Sequence, residues 1–232
     1  MNQFPMNNPA YPGAAMDGRS LFISRVYTHV VGGILGFVLV EMVLFESGLA
    51  GAIARYMFGL PWLLILGAFM VTGWLATRTA QSSASIGMQY FSYAVYVVAE
   101  ALIFVPLLYI ANAKAPGTID SATLITFLGA GGLMFVAHHT RKDFSFLRAI
   151  LLWGGVLALV AIIGGAIFGF QLGTWFSVAM IGFAGAAVLY DTSNIIHAYP
   201  EDRYVSAAMQ LFASIALMFW YVLRLTMGGG RR

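Results

Sequence analysis

Long apolar stretches alternate with short polar ones along this chain, and the apolar stretches set its architecture. Seven of them follow one another at 21–44, 60–77, 86–110, 119–137, 149–170, 174–191 and 205–226. Each comes close to the about 20 residues a helix needs to cross the hydrocarbon core of a bilayer. Lipid offers backbone N–H and C=O groups no water, so a spanning segment must satisfy them itself, and a helix does so within one segment. The short alternating segments of a membrane β-barrel are absent. The pattern predicts an all-α integral membrane protein with a seven-helix transmembrane domain over 21–226. Residues 1–20, rich in Asn, Pro, Gly and Ala, are expected to be a disordered tail, and 227–232 a short basic one. No basic segment precedes the first apolar stretch, as a cleavable signal peptide requires.

The connections are short: 111–118 reads ANAKAPGT and 170–173 reads FQLG. They leave no room for a second domain. Small residues recur at helix-packing spacing in Gly32 with Gly36, Gly165 with Gly169, and Gly182 with Ala186. Such pairs let helices approach closely.

Composition sharpens this picture. Of 232 residues, 60% are hydrophobic and 9% charged, against about 25% charged in ordinary soluble domains. There is no cysteine, which excludes disulfides, thiolate metal sites and a cysteine nucleophile. The net charge of +3 is no nucleic-acid signal. The basic residues flank the apolar stretches and report topology instead. With the N-terminus inside, Arg19, Arg25, Arg78, Arg141, Lys142, Arg148 and Arg203 fall on the inner side. Arg55, Lys114, Arg224, Arg231 and Arg232 fall outside. Basic residues mark the cytoplasmic side, so the N-terminus is expected there and the C-terminus opposite.

Ionisable side chains at membrane depth are costly and mark functional sites by default. Glu100 sits mid-span in VVAEALIFVP, six residues before Pro106. A carboxyl there must be neutral, paired or facing water. Asp191 ends the sixth apolar stretch in LYDTSNIIH, and Asn194 shares its face if the helix continues. A negative charge opposes the dipole at a helix C-terminus, so capping explains Asp191 poorly and binding or pairing explains it better. In the last stretch Ser206, Gln210 and Ser214 are four apart, and Tyr221 and Arg224 continue roughly that face. Such a stripe suits a helix that is buried among others or lines a hydrated path. Glu41 lies near the outer end of the first helix and is expected to reach the interface.

His138, His139 and His197 fall on the same side as Asp191, a set that zinc would accept. Their spacing matches no metal motif: there is no HExxH, and no His pair four apart. An intramembrane zinc hydrolase is therefore the third reading, behind two non-enzymatic ones. GxSxG, GxxxxGK[ST] and strand-linked GxGxxG motifs are also absent, and no cofactor is expected.

Two segments carry a resemblance. Thr140 to Leu147 reads TRKDFSFL, with Arg141, Lys142 and Asp143 at its start, and Leu189 to His197 reads LYDTSNIIH. A long helix ending in Val222-Leu223-Arg224-Leu225 follows. In this order the chain resembles the Bax inhibitor-1 (TMBIM) family over about residues 20–226, and most of all its bacterial YccA-like branch. The resemblance implies a last helix central between two layers of three, in a bacterial inner membrane. It also implies a pH-sensitive calcium leak, with the ion as permeant. Eukaryotic relatives moderate cell death and store calcium, whereas the YccA-like branch modulates the membrane protease FtsH. In calcium-leak members a pair of aspartates joins the sixth and seventh helices. Asp191 matches the first of them, and the second falls at Ser214. Two close carboxylates share a proton; an aspartate hydrogen-bonded to Ser214 does not titrate in that way. Glu100 is a substitute acid on the same pathway.

Overall fold

A computed structural model of the chain describes residues 12–82 and 85–229. Eight helices follow in order: α1 (Pro12–Glu46), α2 (Leu49–Phe58), α3 (Trp62–Ser82), α4 (Ile86–Lys114), α5 (Thr118–Thr140), α6 (Leu147–Phe168), α7 (Gly173–His197) and α8 (Tyr204–Gly229). A single 3₁₀ turn, Glu201–Arg203, precedes α8. Seven of these helices are long and apolar enough to cross a membrane; α2 is too short. There is no strand among the described residues.

α8 is the axis of the bundle. It packs against α1, α3 and α4 on one side and α5 and α7 on the other. α1 and α3 both pack on α4, and α5 and α6 both pack on α7, which gives two layers of three helices. Side chains explain why α8 takes the centre. Ala207, Ala208, Ser206, Ser214 and Ala216 are small and buried, so neighbours can approach α8 from several directions. Of its most apolar window 61% is buried, against 6% for α6. α6 has no buried residue and turns Leu152, Trp153, Leu157 and Val160 outward. Lipid accepts that surface; water would not. Aromatic rings fill the seam between α8 and the first layer: Phe104 of α4 lies 5.1 Å from Phe37, 5.6 Å from Phe219 and 5.0 Å from Trp220.

Four expectations are corrected. Helix α1 begins at Pro12, so the second part of the expected tail, 12–20, is helical. Proline is pre-organised for the first turn of a helix, and Arg19 is tied to α7 as described below. Residues 1–11 lie outside the described residues, as does the end of the expected C-terminal tail, into which α8 runs as far as Gly229. Asp191 does not end its helix, because α7 continues to His197. The dipole argument therefore does not apply to it. Glu41 does not reach the interface: it is buried, and neither carboxylate oxygen has a hydrogen-bond partner among the described residues. α2 packs on α1 and α4 at this end, with Ala50 and Ala54 against Val105. Finally, the tight approach on α1 is made at Gly33, not Gly32. A Cβ on Gly33 would lie 1.9 Å from the Tyr93 hydroxyl, whereas one on Gly32 would meet nothing.

Candidate functional site

Asp191 and Ser214 meet inside the bundle. α7 and α8 run side by side, and the Ser214 hydroxyl donates to Asp191 Oδ2 at 2.5 Å. Both residues are buried. A carboxylate removed from water needs such partners, and α8 supplies one because serine at this position is small enough for close packing.

A cavity of about 1100 Å³ leads to this pair from the end of the bundle where α8 terminates. Trp62 at the start of α3, the α6–α7 connection from Phe170 to Gly173, and Arg224 surround its mouth. Its floor lies at mid-bundle, where Glu100 and Tyr96 of α4, Ala187 of α7 and Ser214 reach it. The Tyr96 hydroxyl donates to Glu100 Oε1 at 2.8 Å. Glu100 and Ser214 thus line one cavity, with Asp191 immediately behind Ser214. Tyr221 also lines the cavity, and its ring meets Phe176 edge-on at 5.9 Å.

Beyond Asp191 the bundle is tied shut. Arg19 of α1 reaches the C-terminal end of α7 and donates to three carbonyls: Ile195 at 2.6 Å, Ile196 at 3.0 Å and Tyr199 at 2.6 Å. A guanidinium suits these orphan acceptors both as a fork of donors and as a positive charge at the negative end of a helix. The Tyr199 hydroxyl donates to Gln210 of α8 at 2.8 Å. Burial pushes that hydroxyl above the ordinary phenol range, and Asp191 adds to the shift. Asn194 joins through its backbone, its carbonyl accepting from the amides of Ala198 and Tyr199 at 2.9 and 2.8 Å.

The segment between α5 and α6 docks on the same end. The Phe144 amide donates to Ser193 Oγ at 3.0 Å, and Ser193 Oγ lies 3.4 Å from the Lys142 carbonyl. Asp143 shapes the turn by accepting from the Ser145 amide at 2.8 Å and the Ser145 hydroxyl at 3.1 Å. Arg141 closes α5 in the left-handed conformation, φ 49°. The side chains of Arg141 and Lys142 are exposed.

The histidines do not join the site. No three His, Asp or Glu side chains gather as a metal set among the described residues. Asp191 points into the bundle, whereas His138 and His139 are exposed and His139 stacks on Phe135 at 5.6 Å. His197 turns back on its own helix, its Nδ1 3.0 Å from the Ser193 carbonyl. This removes the four-residue ligand set on which the zinc hydrolase reading depended. Two site elements had no clear signal in the sequence: the Arg19 clamp and Tyr96 beside Glu100. The i, i+4 spacing of Tyr96 and Glu100 on one helix was the available hint for the second.

Comparison with known proteins places this geometry in a family. The sequence model of the family described as Inhibitor of apoptosis-promoting Bax1 matches residues 19–232. Over 81 residues the chain is 35% identical to the Modulator of FtsH protease YccA of Escherichia coli K12, covering 34% of this chain and 36% of the relative. It is 33% identical over 121 residues to an uncharacterized Pseudomonas aeruginosa protein, covering 51% of this chain and 53% of the relative. An uncharacterized membrane protein of Vibrio cholerae is 30% identical over 113 residues, 48% and 50% of the two chains. These matches span from about a third to about half of the relatives' own length.

Proposed function

The chain belongs to the Inhibitor of apoptosis-promoting Bax1 family, on its YccA-like side, and we propose that it is a gated cation leak pathway held closed at Asp191 and Ser214. One observation carries this reading. The cavity reaches from one end of the bundle to Glu100 and Ser214, and the Ser214–Asp191 hydrogen bond stands between it and the tied end. Hard cations favour carboxylate, hydroxyl and carbonyl oxygens, and the floor offers the first two. Calcium is the permeant ion that the family resemblance implies. Opening would part α7 from α8 at this bond and loosen the end that Arg19 and Tyr199 hold. By the distribution of basic residues, the tied end is cytoplasmic and the cavity mouth faces the opposite side. No step requires covalent chemistry, and the protein is read as non-enzymatic.

Calcium entry into dye-loaded proteoliposomes tests the proposal, from acidic to mildly alkaline pH. Wild type should leak above protein-free vesicles. Asp191→Asn should change the rate on the order of tenfold, the equivalent of about 1.4 kcal/mol at the gate, and Glu100→Gln should change it less. No flux at any pH would sink the pathway.

The similarity to a modulator of FtsH supports a second reading, regulation of a membrane protease. On that reading the protease grips the N-terminal segment. Removing residues 1–11, which precede α1, should then lengthen the protein's half-life in membranes containing FtsH; an unchanged half-life would count against it.

A further inference from the structure

The mouth of the large cavity carries a charge that a simple cation pathway does not explain. Arg224 lines it, half-buried, and makes no hydrogen bond or ion pair with any described residue. An arginine at a pore mouth repels cations. Around it the walls are aromatic and aliphatic: Trp62 and Trp220 stack at 6.1 Å, with Phe170 and Leu66 beside them. The volume, about 1100 Å³, exceeds the roughly 300–1,000 Å³ typical of sites for drug-sized ligands.

Two helices of different layers flank the cavity on its sides. Leu66 and Phe69 of α3 form one wall, and Ile162 and Ala166 of α6 form another. These two helices touch sparsely, and both turn large apolar side chains outward, Leu64 and Val71 on α3 and Ile163 and Ile167 on α6. An acyl chain in the bilayer therefore meets apolar side chains of α3 and α6 beside a cavity whose walls are mostly apolar. Arg224 lies in the last two turns of α8, from where a long cationic side chain can reach toward a headgroup.

We propose that this cavity binds a single-chain anionic amphiphile of the fatty-acid class, its carboxylate on Arg224 and its chain along Trp62, Trp220 and Phe69. A guanidinium pairs with a carboxylate through two parallel N–H···O bonds, and the chain gains by contact with the rings. A neutral lipid would leave Arg224 unpaired. Bound carboxylate also cancels the charge that opposes cations at the mouth. The binding site is read from the cavity and its charge, and stands whether or not the cavity conducts.

The two mouth tryptophans provide the test. Trp74, Trp153 and Trp175 are exposed on the outer surface, so replacing all three with Phe leaves Trp62 and Trp220 as reporters. This protein, in nanodiscs of neutral phospholipid, is titrated with dibromostearic acid and with its methyl ester. Quenching is normalised to the amount partitioned into the discs. The acid should quench saturably. The ester, and the acid on Arg224→Gln, should need about tenfold more for half-saturation, as befits the loss of a charge-assisted bond. Arg224→Lys should stay within a few-fold of the parent. Equal quenching by acid and ester, or quenching without saturation, would overturn the proposal in favour of simple partitioning into lipid. Should Arg224→Gln fail to fold, the comparison of acid with ester in the parent protein decides alone.

Discussion

The two ends of the bundle are built on different principles. At the end where α8 terminates, the layers stand apart around a wide cavity, and Arg224 lines it with no hydrogen bond or ion pair to any described residue. At the end where α7 terminates, each element that arrives is tied to the next. Arg19 binds three carbonyls, Tyr199 binds Gln210, and Ser193 receives the α5–α6 segment. Asp191 and Ser214 lie where the two regimes meet. The contrast teaches that one end of the acidic centre lies beside open space and the other behind a network of hydrogen bonds. The open end is wide, whereas the tied end is held by a small set of hydrogen bonds that can be removed one at a time.

Breaking the clamp should have the largest effect. Arg19→Ala leaves three helix-end carbonyls without their donor and should cost about 2–3 kcal/mol, in the range for hydrogen bonds to a charged group. Thermal unfolding in detergent measures that loss. Calcium flux should rise on the order of tenfold if the tied end is the barrier; unchanged flux with lowered stability would place the barrier elsewhere. Gly33→Ala comes next. Its Cβ would lie 2.6 Å from Cζ of the buried Tyr93 ring, so the seam between α1 and α4 must move, at about 1–3 kcal/mol. Gly32→Ala, which meets nothing, should be neutral or slightly stabilising, and equal loss for the pair would contradict the packing described.

Smaller effects refine the comparison at the centre. Ser214→Ala removes the one hydrogen bond seen on Asp191 and should cost about 1 kcal/mol. Ser214→Asp would place two carboxylates together, and such a pair shares a proton. Its flux should therefore acquire a further pH step beyond any in the wild type; a profile identical to the wild type's would show that the two side chains do not interact. Tyr199→Phe should have the smallest effect, about 0.5–1 kcal/mol. Its pH dependence has a definite sign. The hydroxyl titrates above the ordinary phenol range in the folded protein, so its contribution is constant below about pH 10. It is lost progressively as pH rises from there through the higher folded value. Wild type and Tyr199→Phe should thus differ by a constant amount up to about pH 10, and the gap should shrink above it, as alkaline unfolding curves would report.

Much of the fold was legible, because a bilayer imposes a length and an apolar character that one stretch of sequence displays by itself. The seven spans agree with the helices to within a few residues at most ends. The exceptions are instructive. The polar run Asp191-Thr192-Ser193-Asn194 reads as the end of a span, yet helix α7 continues through it to His197. Thr192 bonds its own helix at Val188, Asp191 finds Ser214, and Ser193 finds the segment after α5. α2 holds ten residues, too few to register as a span, and nothing local announces that it folds onto α1 and α4. Arg19 counted as one basic residue among several in setting orientation. Its bonds to the end of α7 connect positions 176 to 180 apart in sequence.

The sequence alone determined that the chain spans a membrane with seven helices, and its motifs carried the family and the likeness of Ser214 to a partner of Asp191. These properties are local or nearly so: hydrophobicity and length are sums over neighbouring residues, and a motif is a short string. Only the tertiary structure decided which end is tied, that Glu100 and Ser214 line one cavity, that the histidines stand apart from Asp191, and that Arg224 lines that cavity with no counter-charge among the described residues. Those facts depend on how helices rotate and approach around α8. Many small packing contacts between distant segments set that arrangement, and no single stretch of the chain contains it.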